Sequence, residues 1–355
     1  MIRVIGKTRL WTALGCTAGA TAVMAWPLAA AGGVSRGLSL CGEVLIPSLF
    51  PFLVLGGILV HSGTARALGR RLSPVMRWLF GLSGSAAPAL LIGMIGGYPA
   101  GAIATAELYK SGALSRDEAR RLLGFCVCAG PAFTVNTVGV RLMNNRGFGW
   151  LLFAAQVLSL LVIGLLSRRP PASSQATPPT PAVSFPSALV KAVTAASETV
   201  LYLCGFVLLF SAVLSLCEAS GATAVLGGKA PLACLLEVGN GCAAATQTDH
   251  AVPLLGFAVG FGGVSVCCQI AAATRGTDLM SRGFFVSRVV HGGLSVLFTH
   301  LLCRLFPLCA PVFGGNNTPV AAMSADSAAV SVCLLVLCGI WLLIIPTGFF
   351  QKDVV

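Results

Sequence analysis

Charged side chains are missing from long stretches of this chain. Uncharged, mostly apolar runs cover residues 10–35, 44–60, 78–106, 122–140, 148–167, 199–217, 251–274 and 327–351. A further run, 289–303, reaches similar length when Arg304 at its end turns its charged head outward along an apolar stem. Most are near the roughly 20 residues that a helix needs to cross about 30 Å of hydrocarbon. Lipid offers bare backbone groups no water, so a spanning segment must be a helix or part of a closed barrel. Unbroken runs, rather than period-two alternation, select helices. The expected fold class is therefore all-α, a polytopic helical membrane protein.

Two apolar stretches depart from this pattern. Residues 90–106 contain Gly93, Gly96, Gly97, Pro99 and Gly101, and residues 232–245 contain Glu237, Gly239, Asn240 and Gly241. Interior glycine and proline weaken a helix by about 1 and 3 kcal/mol per residue. Both stretches are read as re-entrant or broken helices, tolerated where protein or a cavity covers them. The other runs predict about eight spans, at 11–31, 38–60, 122–140, 148–167, 198–217, 251–273, 289–310 and 327–348.

Charge tests the choice. With both stretches re-entrant and the N-terminus inside, Arg36, Arg141, Arg146 and Lys229 lie outside and Arg304 lies within a span. The other 18 of the 23 basic residues lie inside. Treating both as full spans reduces the split to 14 inside and 8 outside. Basic residues accumulate in cytoplasmic loops, so the re-entrant topology is preferred, with both termini cytoplasmic in a cell (inner) membrane.

Residues 168–197 read as a polar, proline-rich, extended cytoplasmic linker. It divides the chain into halves that repeat. Gly124-Phe125-Cys126-Val127-Cys128-Ala129-Gly130 matches Gly256-Phe257-Ala258-Val259-Gly260-Phe261-Gly262 at four of seven positions. Each half runs span, broken segment, span, span, and the first unit begins outside whereas the second begins inside. That pattern is an inverted repeat, the plan of transporter-like proteins whose site lies between the halves near the midplane. The expected domains are 1–37, a signal-anchor or first span; 38–167 and 198–310, the two repeats; the linker between them; and 311–355, an outer loop with a last span. Arg3, Lys7 and Arg9 before an apolar stretch ending in Leu28-Ala29-Ala30-Ala31 also fit a cleaved signal peptide.

Composition agrees: 56% of residues are hydrophobic and 10% charged, against roughly 25% charged in a soluble domain. A net charge of +12 does not indicate nucleic acid here, because the basic residues are scattered among loops. The 14 cysteines fall mostly in apolar runs, where they act as small hydrophobes. Neither Cys126-x-Cys128 nor Cys267-Cys268 has partners at ligand spacing, so no metal or other cofactor is expected. Protease, nucleotide-hydrolysis and zinc-hydrolase patterns do not occur, and no enzyme is expected.

The candidate pathway residues follow from the breaks. In Gly96-Gly97-Tyr98-Pro99-Ala100-Gly101, glycines let the backbone approach a ligand, and a half-helix restarting near Pro99 aims N–H groups inward. Close helix packing through small residues is the competing role. Gly130-Pro131 with Asn136, and Gly262-Gly263 with Ser265 and Gln269, place flexible turns beside polar groups at membrane depth. Interhelical hydrogen bonding competes with solute binding there. Glu237, with Gly239 and Asn240, is the acid deepest in an apolar setting, and such a carboxylate is a functional candidate as proton or cation partner. His291 and His300 read as packed or interfacial.

Glu43-Val44-Leu45-Ile46-Pro47-Ser48-Leu49-Phe50-Pro51-Phe52, the Gly-Gly-Tyr-Pro-Ala-Gly-Ala element at 96–102, Leu236-Glu237 with its glycine turn, and the 262–269 segment come in an order that resembles the YlbJ family of sporulation integral membrane proteins. The similarity runs over residues 38–310. That family is grouped with Gate, or nucleoside-recognition, domains, found also in nucleoside transporters, ferrous-iron transporters and spore maturation proteins. The resemblance implies a role in endospore formation, particularly the cortex. By domain kinship it implies passage of a small solute, a nucleoside or an ion, across the bilayer. The partners expected are lipid, that solute and a second copy of the chain, but no nucleic acid. A membrane scaffold recruiting spore-envelope factors through basic loops is the alternative.

Overall fold

A computed structural model describes residues 2–169 and 183–307, and every regular element among them is helical. Helix α1 (Ile2–Ala25) stops before Pro27, which opens α2 (Pro27–Leu40) after a 99° bend. Proline is well placed at the first turn of a helix but cannot continue one. From there α2 passes through a π turn at Cys41–Leu45 straight into α3 (Ile46–His61). The spans expected at 11–31 and 38–60 are thus divided elsewhere, at Trp26, and the second begins at Pro27.

Residues 66–77, expected as a loop, lie in an amphipathic helix, α4 (Thr64–Phe80), bounded by left-handed Gly63 and Gly81. Its Gly69, Met76 and Phe80 are buried while Arg70, Arg71 and Arg77 are exposed. A hairpin follows, α5 (Ala87–Gly96) and α6 (Tyr98–Lys110), turning at Gly97 with φ 86°. Its legs touch through glycine: a methyl on Gly101 would stand 2.9 Å from the Gly93 Cα. Helix α7 (Arg116–Cys126) opens with a capping box between Ser115 and Glu118. After it the chain is unwound to Gly130, then forms a π-type helix at Ala132–Leu142. The 122–140 span is therefore broken in the middle. Helix α8 (Arg146–Leu166) fits its prediction.

The second half begins with α9 (Phe185–Ala219), which starts thirteen residues before the span expected at 198, inside the stretch read as extended linker, because Ser184-Phe185-Pro186 opens it and the Ala/Val-rich 188–196 stretch is helical. At about 1.5 Å per residue it is near 50 Å long, and Lys191 and Glu198 lie in its first turns, ahead of the apolar portion. The short α10 (Ala222–Val225) leads into a second hairpin, α11 (Lys229–Leu236) and α12 (Val238–Ala245), turning at Glu237. Next come α13 (Ala251–Phe261) and α14 (Gly263–Ala273), joined at Gly262, and α15 (Arg282–Leu305). The span expected at 289–310 starts earlier, at Arg282, because α15 accommodates Arg282 and Arg288 ahead of its apolar portion. The predicted span at 327–348 lies outside the described residues.

Among the described residues, four helices are long and apolar enough to cross a membrane, and two bent pairs raise this to as many as six. The α2–α3 helix lies antiparallel against α9. Gly33 meets Ser211, Ala212 and Ser215, and Gly57 meets Ala192, so small residues permit close approach of the backbones. Polar contacts gather at two ends. Asp117 pairs with Arg121 and Arg169, Asp278 pairs with Arg116, and Lys110 donates to the Arg275 carbonyl. Val183 N–H donates to the His61 carbonyl at the start of α9, whereas Glu218 at its far end pairs with Lys229 at the base of the second hairpin.

Candidate functional site

Each hairpin tip rests on the break of the helix that follows it. A methyl on Gly130 would stand 2.6 Å from the Ile95 carbonyl oxygen and 3.1 Å from the Gly97 nitrogen. In the second half, a methyl on Gly263 would stand 2.9 Å from the Leu236 carbonyl and 3.0 Å from the Glu237 nitrogen, and φ there is 80°. Only glycine lets backbone meet backbone so closely at both places. The two tips, the first break and α14 surround one small central cavity of about 30 Å³, lined in part by Gly97, Tyr98, Gly130, Glu237, Val266 and Gln269. That volume holds about one water.

The two tips differ in chemistry. Glu237, 2% exposed, closes the N-terminus of α12: its carboxylate accepts from Gly239 N–H at 2.9 Å and Asn240 N–H at 2.7 Å. The Asn240 amide also donates to this carboxylate at 2.9 Å and to Ser211 Oγ at 2.7 Å, tying the tip to α9. The first tip has no side-chain cap, and α6 begins at Tyr98-Pro99 beside the cavity. The Tyr98 hydroxyl crosses between halves to donate to the Val259 carbonyl in α13.

Arg288 is fully buried in α15. It donates to the Val127 carbonyl and, at 3.2 Å, to the Gly124 carbonyl, and it stands 3.0 Å from His291 Nδ1. Its guanidinium also lies 5.8 Å from the Phe284 ring centre. The end of α7 leaves carbonyls without intrahelical partners, and a cation meets the negative end of the helix dipole there. Counting Arg288 as a loop charge is thus corrected. The signal was its spacing, three residues before His291 on one helical face.

Gly96, Gly97, Tyr98, Pro99, Gly130, Glu237 and Gln269, all singled out in the sequence, line the central cavity. Gly101 instead packs the hairpin legs, Pro131 precedes the π-type helix, and Gly239 lies against Leu40 and the Glu237 carboxylate. Gly262 and Gly263 form the α13–α14 break, and Ser265 bonds Gln269 at 3.2 Å. Asn240 lines a second cavity. Asn136 is exposed on the π-type helix and lines neither this cavity nor the second one. Leu45, Phe133, Leu203 and Val266 line the cavity without having been singled out, since apolar wall residues carry no distinguishing sequence signal. No cluster of three or more His, Cys, Asp or Glu able to hold a metal occurs among the described residues.

Apolar helices of spanning length and two hairpins, one tipped by Gly97 and one by Glu237, define a polytopic helical membrane protein with a buried central site. Residues 43–167, from the π turn through α8, match the Gate family model, described as nucleoside recognition. The sporulation integral membrane protein YlbJ of Bacillus subtilis (strain 168) is 30% identical over 324 residues, covering 79% of each chain. The chain belongs to the YlbJ family of sporulation integral membrane proteins. No solved structure matches it.

Proposed function

We propose that this protein is a transporter-like component of the cytoplasmic membrane of the sporulating cell, passing a small solute through the central cavity during cortex formation. The observation that carries this reading is the meeting of both hairpin tips, the first helix break and α14 around one cavity, with the Glu237 carboxylate in its wall. Broken helices that converge from two repeats are the usual frame of a midplane solute site. The same element order in each half, with hairpin bases toward opposite ends of α9, supports an inverted repeat. The excess of basic residues on the Asp117–Asp278 face supports a cytoplasmic location for that face and for both termini. The Gate match and the name of the Bacillus relative favour a nucleoside or an ion as solute and the spore envelope as setting.

Uptake by proteoliposomes, with a panel of nucleosides, small dicarboxylates and divalent cations, tests the proposal. Glu237→Gln and Gly97→Leu are expected to abolish uptake and sporulation while the protein still accumulates in the membrane. Normal sporulation by both variants overturns a pathway at this site. Loss of function only on charge reversal in α4 and at Arg116–Arg121 supports the scaffold alternative instead.

A further inference from the structure

The packing of α2 against α9 brings two cysteines together. A methyl on Gly33 would stand 2.7 Å from the Ala212 Cα, and a methyl on Gly37 would stand 3.1 Å from the Leu208 Cα. The helices run antiparallel, so a turn toward higher numbers on α2 is a turn toward lower numbers on α9. The next pair in that register is Cys41 and Cys204. Their thiols are hydrogen-bonded to each other. Backbones this close hold opposite Cα atoms near the roughly 4.4–6.8 Å that a disulfide bridges. Other buried thiols turn elsewhere: Cys126 meets the Thr105 hydroxyl, and Cys128 and Cys234 face main-chain carbonyls.

The two thiols differ in access. Cys41, 1% exposed, is the first residue of the π turn. Cys204 is half-buried, and Leu201 and Gly205 beside it on the same face of α9 are exposed. This part of α9 belongs to the apolar run 199–217, so a reagent that reaches Cys204 arrives through lipid and must be apolar. The pair also adjoins the central cavity. Leu40, before Cys41, packs on Gly239 at the second tip, while Leu45, at the end of the π turn, and Leu203, before Cys204, line the cavity. Single π turns within helices concentrate at functional positions.

We propose that Cys41 and Cys204 are a site of oxidative modification, closed to a disulfide by an organic hydroperoxide dissolved in the lipid. The Cys204 sulfur attacks the outer peroxide oxygen and the O–O bond breaks. The thiol proton passes to the leaving oxygen, giving an alcohol and a sulfenic acid on Cys204. The Cys41 sulfur then attacks the Cys204 sulfur, the S–O bond breaks, and the hydroxyl leaves as water with the Cys41 proton. The two sulfurs lose two electrons in all, and the peroxide gains them. The bond clamps α2 to α9 and fixes this side of the cavity wall.

The test treats the full chain in dodecyl maltoside with cumene hydroperoxide, caps the remaining thiols with N-ethylmaleimide and maps peptides by mass spectrometry. The wild type is expected to yield a peptide pair joined through residues 41 and 204. Its thermal midpoint is expected to shift upward, because a crosslink restricts the unfolded chain, and dithiothreitol should reverse both changes. Cys41→Ser is expected to retain the sulfenic acid on Cys204, trapped by dimedone, and Cys204→Ser to show neither product. Cys217→Ser, at a half-buried cysteine further along α9, is expected to behave as the wild type. Oxidation of the exposed Cys16 without a bond between 41 and 204 overturns the site. A bond without a midpoint shift overturns the clamp. Both decisive readings are made on the wild type and neither uses transport, so they are independent of variant folding and of the uptake experiment.

Discussion

The guanidinium of Arg288 donates to the main-chain carbonyl of Val127, and the hydroxyl of Tyr98 donates to that of Val259. Those two valines occupy the same position in the repeated seven-residue block of the two halves. Equivalent helix ends have therefore acquired different donors, a cation in one half and a phenol in the other. Both donors come from outside the helix they serve, so each fastens a break to a distant element.

Arg288→Met should remove hydrogen bonds to two buried carbonyls. A bond to a charged group contributes about 1.5–3 kcal/mol, and a buried carbonyl left without a donor adds its own cost. The expected result is a clear fall in the thermal midpoint of the full chain in detergent. Arg282→Gln, an exposed position on the same helix, should change it little. Arg288→Lys should rescue only part, since an ammonium lacks the planar fork that reaches both carbonyls.

Glu237→Ala should loosen the second hairpin by about 1 kcal/mol or more, the typical cost of losing a helix N-cap. Glu237→Gln keeps one acceptor oxygen and should lose less stability. Comparing the thermal midpoints of the two variants with the wild type checks the order. Equal midpoints for alanine and wild type would count against a capping role.

Gly93→Ala should cost about 1–3 kcal/mol or more, because its methyl would stand 2.0 Å from the Cys126 carbonyl oxygen and force the hairpin away from α7. Gly205→Ala, with no atom within 4 Å, should be neutral or gain up to about 1 kcal/mol from helix propensity. Yield of folded protein on size-exclusion chromatography distinguishes the pair.

Single cysteines at positions 110 and 169 should react with a membrane-impermeant maleimide from one side, and a cysteine at 229 from the other, in vesicles of a background with all 14 native cysteines replaced by serine. Arg169 lies 3.3 Å from Asp117, in the same polar cluster as the α6–α7 connection, while Lys229 lies at the far end of α9. Labelling of 110 and 169 from opposite sides would contradict this grouping.

The hairpins were legible because glycine and proline at high density cannot sustain a continuous span, and the tips fall at Gly97 and Glu237 within the segments so marked. Helix α8 was legible for the opposite reason, an uninterrupted apolar run. Hydropathy stops at charge, and so it missed what charge does inside the fold. Arg288 ended a predicted span although carbonyls at the end of α7 accept from it within one. In α4, arginines on one face hid the apolar residues on the other. Asn136 lies outside the cavity wall, and a polar residue near a break has no sequence mark telling which way its helix turns it.

A chamber with room for a single water has a consequence for any organic solute. Such a molecule cannot occupy the conformation described; it must bind one in which Gly97 has parted from Gly130 or Glu237 from Gly263. Its apparent affinity is then lowered by the rarity of that wider form, and a substitution that props the tips apart would tighten binding without touching the solute.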